Sequence, residues 1–367
     1  MSEALGRVAR VRLADVAPGT LKRSPAYHLA RLARIARAAA TLVAQGLGPD
    51  RRLYLCIAGG AGVYYDLVLA ALARLLRYRI FIHHHSFTYV NRRDRRTALL
   101  FRLCGTGAVH ICLCQTMAQR LRARYPRIDR CEILSNAALL PAPEPGELPP
   151  RGDGSVTLGH LGNLTLAKGL DTVVALFHRL RAEGLPVRLS LAGPAAGEAE
   201  SRLIDGLRRD FPGAVAVHGP LYGAEKDAFF RDLDVFLFPS RYPNEAQPLV
   251  LFEAMAAGVP VIATGRGCIG DDVTGGAGLV SDEAAFLDSA AALIRHWYED
   301  RASLRAAGRA ARERVRALRE AARCDLDHIV GLIAGINVLE AGACQNGYAD
   351  AGPRRHAKSL GAHAGHG

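Results

Sequence analysis

No run of about 18 consecutive apolar residues occurs in this chain of 367 residues, so no membrane-spanning helix is expected. No charged, apolar, small-residue leader opens it either, and the expectation is a protein that stays in the cytoplasm. The eight cysteines, at 56, 104, 112, 114, 131, 268, 324 and 344, form no CxxC pair and no Cys/His spacing typical of zinc. Most sit in apolar runs such as residues 109–114, where a thiol behaves as a small hydrophobe, so they are expected to be reduced core residues. No internal repeat at a fixed period is present. What remains is a chain half hydrophobic by composition, long enough for two cored domains.

Charge is unevenly placed. Residues 1–150 hold 23 Lys/Arg against 9 Asp/Glu, whereas the remainder is close to neutral within a total net charge of +12. One basic half points to an anionic partner for that half alone, such as a phospholipid surface or a lipid phosphate, or to solvated arginines with no partner. Nucleic acid is not the expected partner.

Short apolar runs at residues 8–13, 53–58, 79–83, 109–113 and 132–134 alternate with helical patterns, as in a parallel α/β sheet. The alternation resumes at residues 156–160, 187–192, 214–218, 235–238, 259–263 and 278–280. Between the two series lies a Pro/Gly-rich stretch that continues neither element. This divides the chain into a first domain over residues 1–140, a linker over 141–154 and a second domain over 155–338, whose residues 285–334 read as almost wholly helical. Residues 339–367, rich in Gly, Ala and His, are expected to be a disordered tail.

The strongest chemical signal lies in residues 234–264. An apolar strand ends at Pro239-Ser240, a loop follows, and Pro248 can open a helix at its first turn. That loop therefore lies at the carboxyl end of a parallel strand, where open α/β sheets bind ligands. Glu245 falls in the loop and Glu253 on the second helical turn. The helix start between them has unpaired N–H groups suited to a diphosphate, and the carboxylates can accept hydrogen bonds from neutral hydroxyls. Taken singly, Glu253 also reads as an exposed helix residue and Glu245 as a helix-start acid.

Residues 160–169, His-Leu-Gly-Asn-Leu-Thr-Leu-Ala-Lys-Gly, form a strand, a loop and a helix start. Gly162 permits close backbone approach to a phosphate and Lys168 supplies a cation. In the first half, His83, His84 and His85 end a strand; His83 and His85 share one side and His84 takes the other. Three ligands cannot converge from that geometry, and no cysteine or carboxylate is close in sequence, so no metal site is expected. Asp232-Leu-Asp234 matches a metal-diphosphate DxD pattern but precedes its strand, away from the ligand edge.

Glu245 and Glu253, separated by seven residues and followed by Ala254-Met255-Ala256-Ala257-Gly258-Val259-Pro260-Val261, resemble the signature of glycosyltransferase family 4. The resemblance implies a GT-B fold, α/β with two Rossmann-like domains whose parallel sheets face each other across a cleft. It implies retaining transfer from a nucleotide-sugar donor to a sugar, glycan or lipid-linked acceptor, with no metal or other cofactor. By resemblance, Glu245 contacts the donor sugar, Glu253 the ribose, and His85 the sugar from across the cleft. The donor surface would be completed by Gly162, Asn163, Lys168, Gln247, Pro248 and Leu249. The family usually carries an arginine where Asn163 stands, leaving Lys168, loop amides and an arginine such as Arg241 or Arg266 to meet phosphate charge. Members begin with a strand, a glycine-rich loop and a helix before anything similar to residues 8–15, so the N-terminal domain is expected to lack that first unit. The expected activity is glycosyl transfer in cell-surface polysaccharide or glycolipid assembly, possible at an anionic membrane surface. The alternatives are a catalytically inactive GT-B scaffold at the membrane and a nucleotide-sugar epimerase on the same fold.

Overall fold

The computed structural model describes residues 1–16, 25–46, 48, 51–57, 59–141 and 154–336. All but the ends of the expected linker, and the whole of the expected tail at 339–367, lie outside them.

The first half runs α1 (Ser2–Gly6), α2 (Pro25–Gln45), β1 (Arg52–Cys56), α3 (Val63–Leu75), β2 (Arg79–His83), α4 (Thr88–Asn91), α5 (Arg95–Cys104), β3 (Val109–Cys112), α6 (Gln115–Arg124) and β4 (Arg130–Ile133). Its sheet has the order β1-β2-β3-β4, with every pairing parallel. The central strands β2 and β3 are buried nearly throughout because both faces are covered, as all-parallel sheets require, whereas the edge strands β1 and β4 are only partly buried. Residues 8–13, expected as a strand, form none: they make a turn and an extended segment, with Leu13 79% exposed. Among the described residues the run has no strand to pair with, and its Val8 and Ala9 amides instead donate to the Leu5 carbonyl at 3.1 and 2.9 Å.

The second half runs β5 (Val156–Leu161), α7 (Leu170–Ala182), β6 (Val187–Ala192), α8 (Glu198–Asp210), β7 (Val215–His218), α9 (Gly223–Arg231), β8 (Val235–Phe238), α10 (Leu249–Ala256), β9 (Val261–Thr264), α11 (Ile269–Asp272), β10 (Gly278–Ser281), α12 (Phe286–Glu299) and α13 (Arg301–Ala334). Its parallel sheet has the order β10-β9-β8-β5-β6-β7, with a topological switch between β5 and β8. Ligands of open α/β sheets bind outside the carboxyl ends of strands at such a switch.

The two halves share more than a linker. The last turns of α13 return to the first sheet, where Ile329, Val330 and Ile333 pack with Phe81, Val109 and Ile111, and Arg52 donates to the Ala334 carbonyl at 2.7 Å. The carboxyl edges of both sheets meet: Thr116 Oγ1 donates to Asp271 at 2.7 Å, Asn91 Nδ2 to the Pro243 carbonyl at 3.1 Å, and Thr88 hydrogen-bonds Asn244. Cys114, which caps α6, is disulfide-bonded to Cys268 beside α11, with Cα atoms 5.9 Å apart. The expectation of reduced thiols is therefore corrected for this pair, and for Cys324, which is disulfide-bonded as well; Cys114 and Cys268, 154 apart in sequence, meet because both follow strands whose ends face each other. Cys56, Cys104, Cys112 and Cys131 are free thiols.

Candidate functional site

Lys168 and Glu245 meet at the switch point. Lys168 closes the 3₁₀ turn after β5, and Glu245 follows β8. The Lys168 ammonium lies 2.5 Å from Glu245 Oε2, and the Ser240 hydroxyl donates to the same oxygen at 2.8 Å. Glu245 is buried and Lys168 about one-quarter exposed, with the rings of Tyr242 and Phe238 5.1 and 5.5 Å from the ammonium.

Two glycines make this convergence possible. Gly169 has φ +85°, and a Cβ there would fall 2.2 Å from the Pro239 carbonyl, so only glycine lets the Lys168 turn lie against the end of β8. Gly267 has φ +57°, and a Cβ there would fall 2.2 and 2.4 Å from the carbonyls of Ala246 and Glu245. The Cys268 amide then donates to the Ala246 carbonyl at 2.8 Å, fixing the loop that carries Glu245.

Pro248 caps α10, and Leu249 is its first residue, half-exposed at the ligand edge. Glu253 sits on the second turn, where its Oε1 accepts from Lys226 at 2.6 Å. Its Oε2 is buried with no hydrogen-bond partner among the described residues. Lys226, on α9, belongs to no local pattern and was missed; only tertiary packing brings it to Glu253. Gln247 is buried at the seam between the halves, accepting the Asn136 amide at 2.7 Å and donating to Asp272 at 2.9 Å. Its side chain therefore already has protein partners on both ends.

Gly162 follows β5 with φ +152°, its amide donating to the Ala192 carbonyl at 3.0 Å, and Asn163 is exposed beside it. The two arginines considered as substitute phosphate cations are both engaged. Arg241 makes a forked pair with Asp171 at 2.7 and 2.8 Å, and Arg266 pairs with Glu283 at 2.7 Å. Asp234 lies at the amino end of β8, where it accepts the Thr157 amide at 2.8 Å, far along the strand from Ser240.

On the first sheet the three histidines divide as alternation dictates. His84 is wholly buried, hydrogen-bonded to Tyr89 and to His110, both at 3.0 Å. Burial holds His84 well below the ordinary imidazole range and pushes His110 down to about 3, so the pair is neutral. His83 and His85 face the other side with ring centroids 4.0 Å apart, and His85 is exposed at the carboxyl edge. Burial also brings His83 down to about 3.

Residues 149–314 match the family model described as Glycosyl transferases group 1, a span that contains Lys168, Glu245 and Glu253. The structure of Anabaena HepE in complex with UDP superposes with a TM-score of 0.63 at 16% identity, covering 84% of each chain. The sucrose-phosphate synthase of Thermosynechococcus elongatus gives 0.63 at 20% identity, covering 87% of this chain and 82% of that one. The fold is GT-B. Among curated proteins, the GT-B chain is 32% identical to a glycogen synthase of Mycobacterium tuberculosis over 163 residues, 44% of this chain and 38% of that protein. It is 42% identical over 85 residues to the lipopolysaccharide core biosynthesis mannosyltransferase LpsB of Rhizobium meliloti, 22% of each. The chain spans less than two-fifths of the curated relatives it matches.

Proposed function

We propose that this protein is a retaining glycosyltransferase that moves a sugar from a nucleotide-sugar donor to an acceptor hydroxyl, without a metal ion. The observation that carries the reading is the Lys168–Glu245–Ser240 cluster at the strand switch beside the start of α10, inside the matched span. In this reading the donor diphosphate takes the Lys168 ammonium, and Glu245, released from its ion pair, accepts hydroxyls of the sugar. The buried, unpartnered Oε2 of Glu253 receives a ribose hydroxyl while Lys226 neutralises the other oxygen. The bond from the anomeric carbon to the departing phosphate oxygen breaks as the acceptor oxygen attacks from the same face, and the acceptor proton passes to that phosphate oxygen. Lys168 and the α10 amides act where charge develops, which is the largest contribution in reactions of this kind. His85 meets the sugar from the first domain.

HepE is a structural neighbour crystallised with UDP, and LpsB is named for lipopolysaccharide core synthesis; both favour testing UDP-sugars and glycan or lipid-linked acceptors first. The basic first half would rest on an anionic membrane surface to reach such acceptors. No described helix is long and apolar enough to cross a membrane.

The test is release of nucleoside diphosphate from a panel of UDP-, ADP- and GDP-sugars, with and without acceptors and with excess chelator. Release by one donor class that persists in chelator is expected. Sugar epimerised without acceptor would replace this reading with an epimerase, and donor binding without transfer to any acceptor would replace it with an inactive scaffold.

A further inference from the structure

We propose that Cys56, His83 and His85 form a binding site for a borderline-soft divalent metal ion, zinc above all, at the carboxyl edge of the first sheet. Strand pairing creates the cluster. Cys56 is the register partner of His83 in the parallel ladder of β1 and β2, so the two side chains leave the sheet on the same side. His85, two residues on, shares that side. The Cys56 sulfur and one ring nitrogen from each histidine all lie within 4.8 Å of one another. Tetrahedral zinc needs its nitrogen and sulfur ligands at about 2.0–2.3 Å, which places them roughly 3.5 Å apart, so small side-chain rotations close the shell.

Independent of that cluster, His83 points to a missing ligand. It is only 5% exposed, its Nδ1 is hydrogen-bonded to the Tyr54 hydroxyl, and its Nε2 is buried with no hydrogen-bond partner among the described residues. A buried imidazole nitrogen without a partner is costly, and a metal satisfies it. The Tyr54 hydroxyl fixes the His83 ring in the way outer groups orient metal ligands. Cys56 and His85 are exposed, which gives the ion a route in and leaves a fourth position to water. One thiolate and two imidazoles, with no carboxylate among them, select zinc over magnesium, calcium or manganese. Binding displaces the Cys56 proton to solvent, and the thiolate sulfur bonds the metal.

The test uses the full chain, handled anaerobically without reductant so that the Cys114–Cys268 bond stays intact, and titrated with cobalt(II) as a spectroscopic stand-in for zinc. The expected result is four-coordinate visible bands with a near-ultraviolet thiolate-to-cobalt band, saturating at one ion per chain and bleached by zinc. Cys56→Ser, at an exposed position, abolishes the thiolate band; His85→Gln weakens binding by at least about tenfold, as does Tyr54→Phe. The triple variant His356→Gln/His363→Gln/His366→Gln, in the C-terminal segment, binds as the parent does. No thiolate band, its survival in Cys56→Ser, or its loss in the triple variant overturns the site. A consequence resting on the transferase reading is that zinc takes His85 from the donor sugar. Zinc then inhibits turnover reversibly in the parent and fails to inhibit Cys56→Ser, whose basal rate is unchanged. A cobalt spectrum with no zinc inhibition would retain the metal site and remove His85 from the sugar contact.

Discussion

Each acidic residue of the second domain's site is matched to a cation whose place predicts a different kinetic effect. In the proposed reading Lys168 neutralises charge that appears on the leaving group, so Lys168→Ala is expected to lower kcat by about 100-fold or more with little change in KM. The same reading has Glu253 hold a part of the donor that does not react, so Glu253→Ala is expected to raise KM and leave kcat near the parent value. Glu245→Ala is expected to lower kcat, because the proposed sugar contact strengthens toward the transition state. Steady-state rates across donor concentration separate the three, and parent kinetics in all of them would remove the site assignment. A second prediction at this scale concerns Asp272. Burial lifts its pKa from 3.8 to about 7, against a hydrogen bond from Gln247 that pulls it down. The native state therefore keeps a proton that the unfolded chain releases, and the contribution of Asp272 to stability falls as pH rises from about 4 to 7, by up to about 1.4 kcal/mol per pH unit, against the rise that the buried neutral histidines contribute. The difference in denaturant midpoint between the parent and Asp272→Asn, which retains the acceptor for Gln247, should therefore move in favour of the variant as pH rises through that window; parallel curves would acquit the buried acid.

Backbone elements decide whether those side chains meet at all. Gly267→Ala forces a Cβ into the Glu245 and Ala246 carbonyls at a positive φ, so it is expected to cost more than about 1 kcal/mol and to lower transfer as well, because the Glu245 loop must shift. Gly223→Ala, at φ +50° with open space around it, should pay only the conformational term, and thermal midpoints of the two variants test the difference. The same elements mark what could be read from the chain alone. Strands such as Val187–Ala192 and Val235–Phe238 were legible because apolar runs between turn residues have one good fate in a parallel sheet. Residues 8–13 carry a similar run yet find no neighbour, and local pattern holds no information about neighbours. Glu245, Glu253 and Lys168 were legible because one motif and one loop carry them. Lys226, the Asp171 partner of Arg241, and the meeting of Cys56 with His83 were not, since each joins segments separated in sequence and set side by side only by strand order.

For the molecule as a whole, two features bear on how the halves work together. The Cys114–Cys268 bond closes a loop of 154 residues across the seam, a constraint worth about 2–4 kcal/mol by typical measurements. Mild reduction should therefore lower the thermal midpoint of the parent by more than that of Cys114→Ser/Cys268→Ser, in which Cys324 is still disulfide-bonded; equal shifts in both would assign the effect to the Cys324 bond.

The second feature is the basic face of the first half. In α2, Ile35 and Ala38 pack on Leu69 of α3, whereas Leu29 and Leu32 stand 69% and 53% exposed on the same helix. The apolar residues of α2 are thus split, one part serving the core and one facing out. Its arginines divide too: Arg34 pairs with Asp15 at 2.9 Å and Arg31 lies over the Tyr65 ring, while Arg37 is exposed. Packing alone accounts for Ile35 and Ala38 but gives no reason for two exposed leucines beside unbalanced positive charge. An interfacial helix inserts its outward leucines among acyl chains, and each basic residue near an acidic leaflet adds about 1 kcal/mol. Co-sedimentation with vesicles should therefore rise with acidic lipid and fall with added salt. Leu29→Ser/Leu32→Ser should weaken binding at every salt concentration, because it removes the inserted part, whereas Arg37→Gln should weaken it mainly at low salt. A chain that ignores acidic vesicles at low salt would place the acceptor in solution and leave the exposed leucines to some other surface.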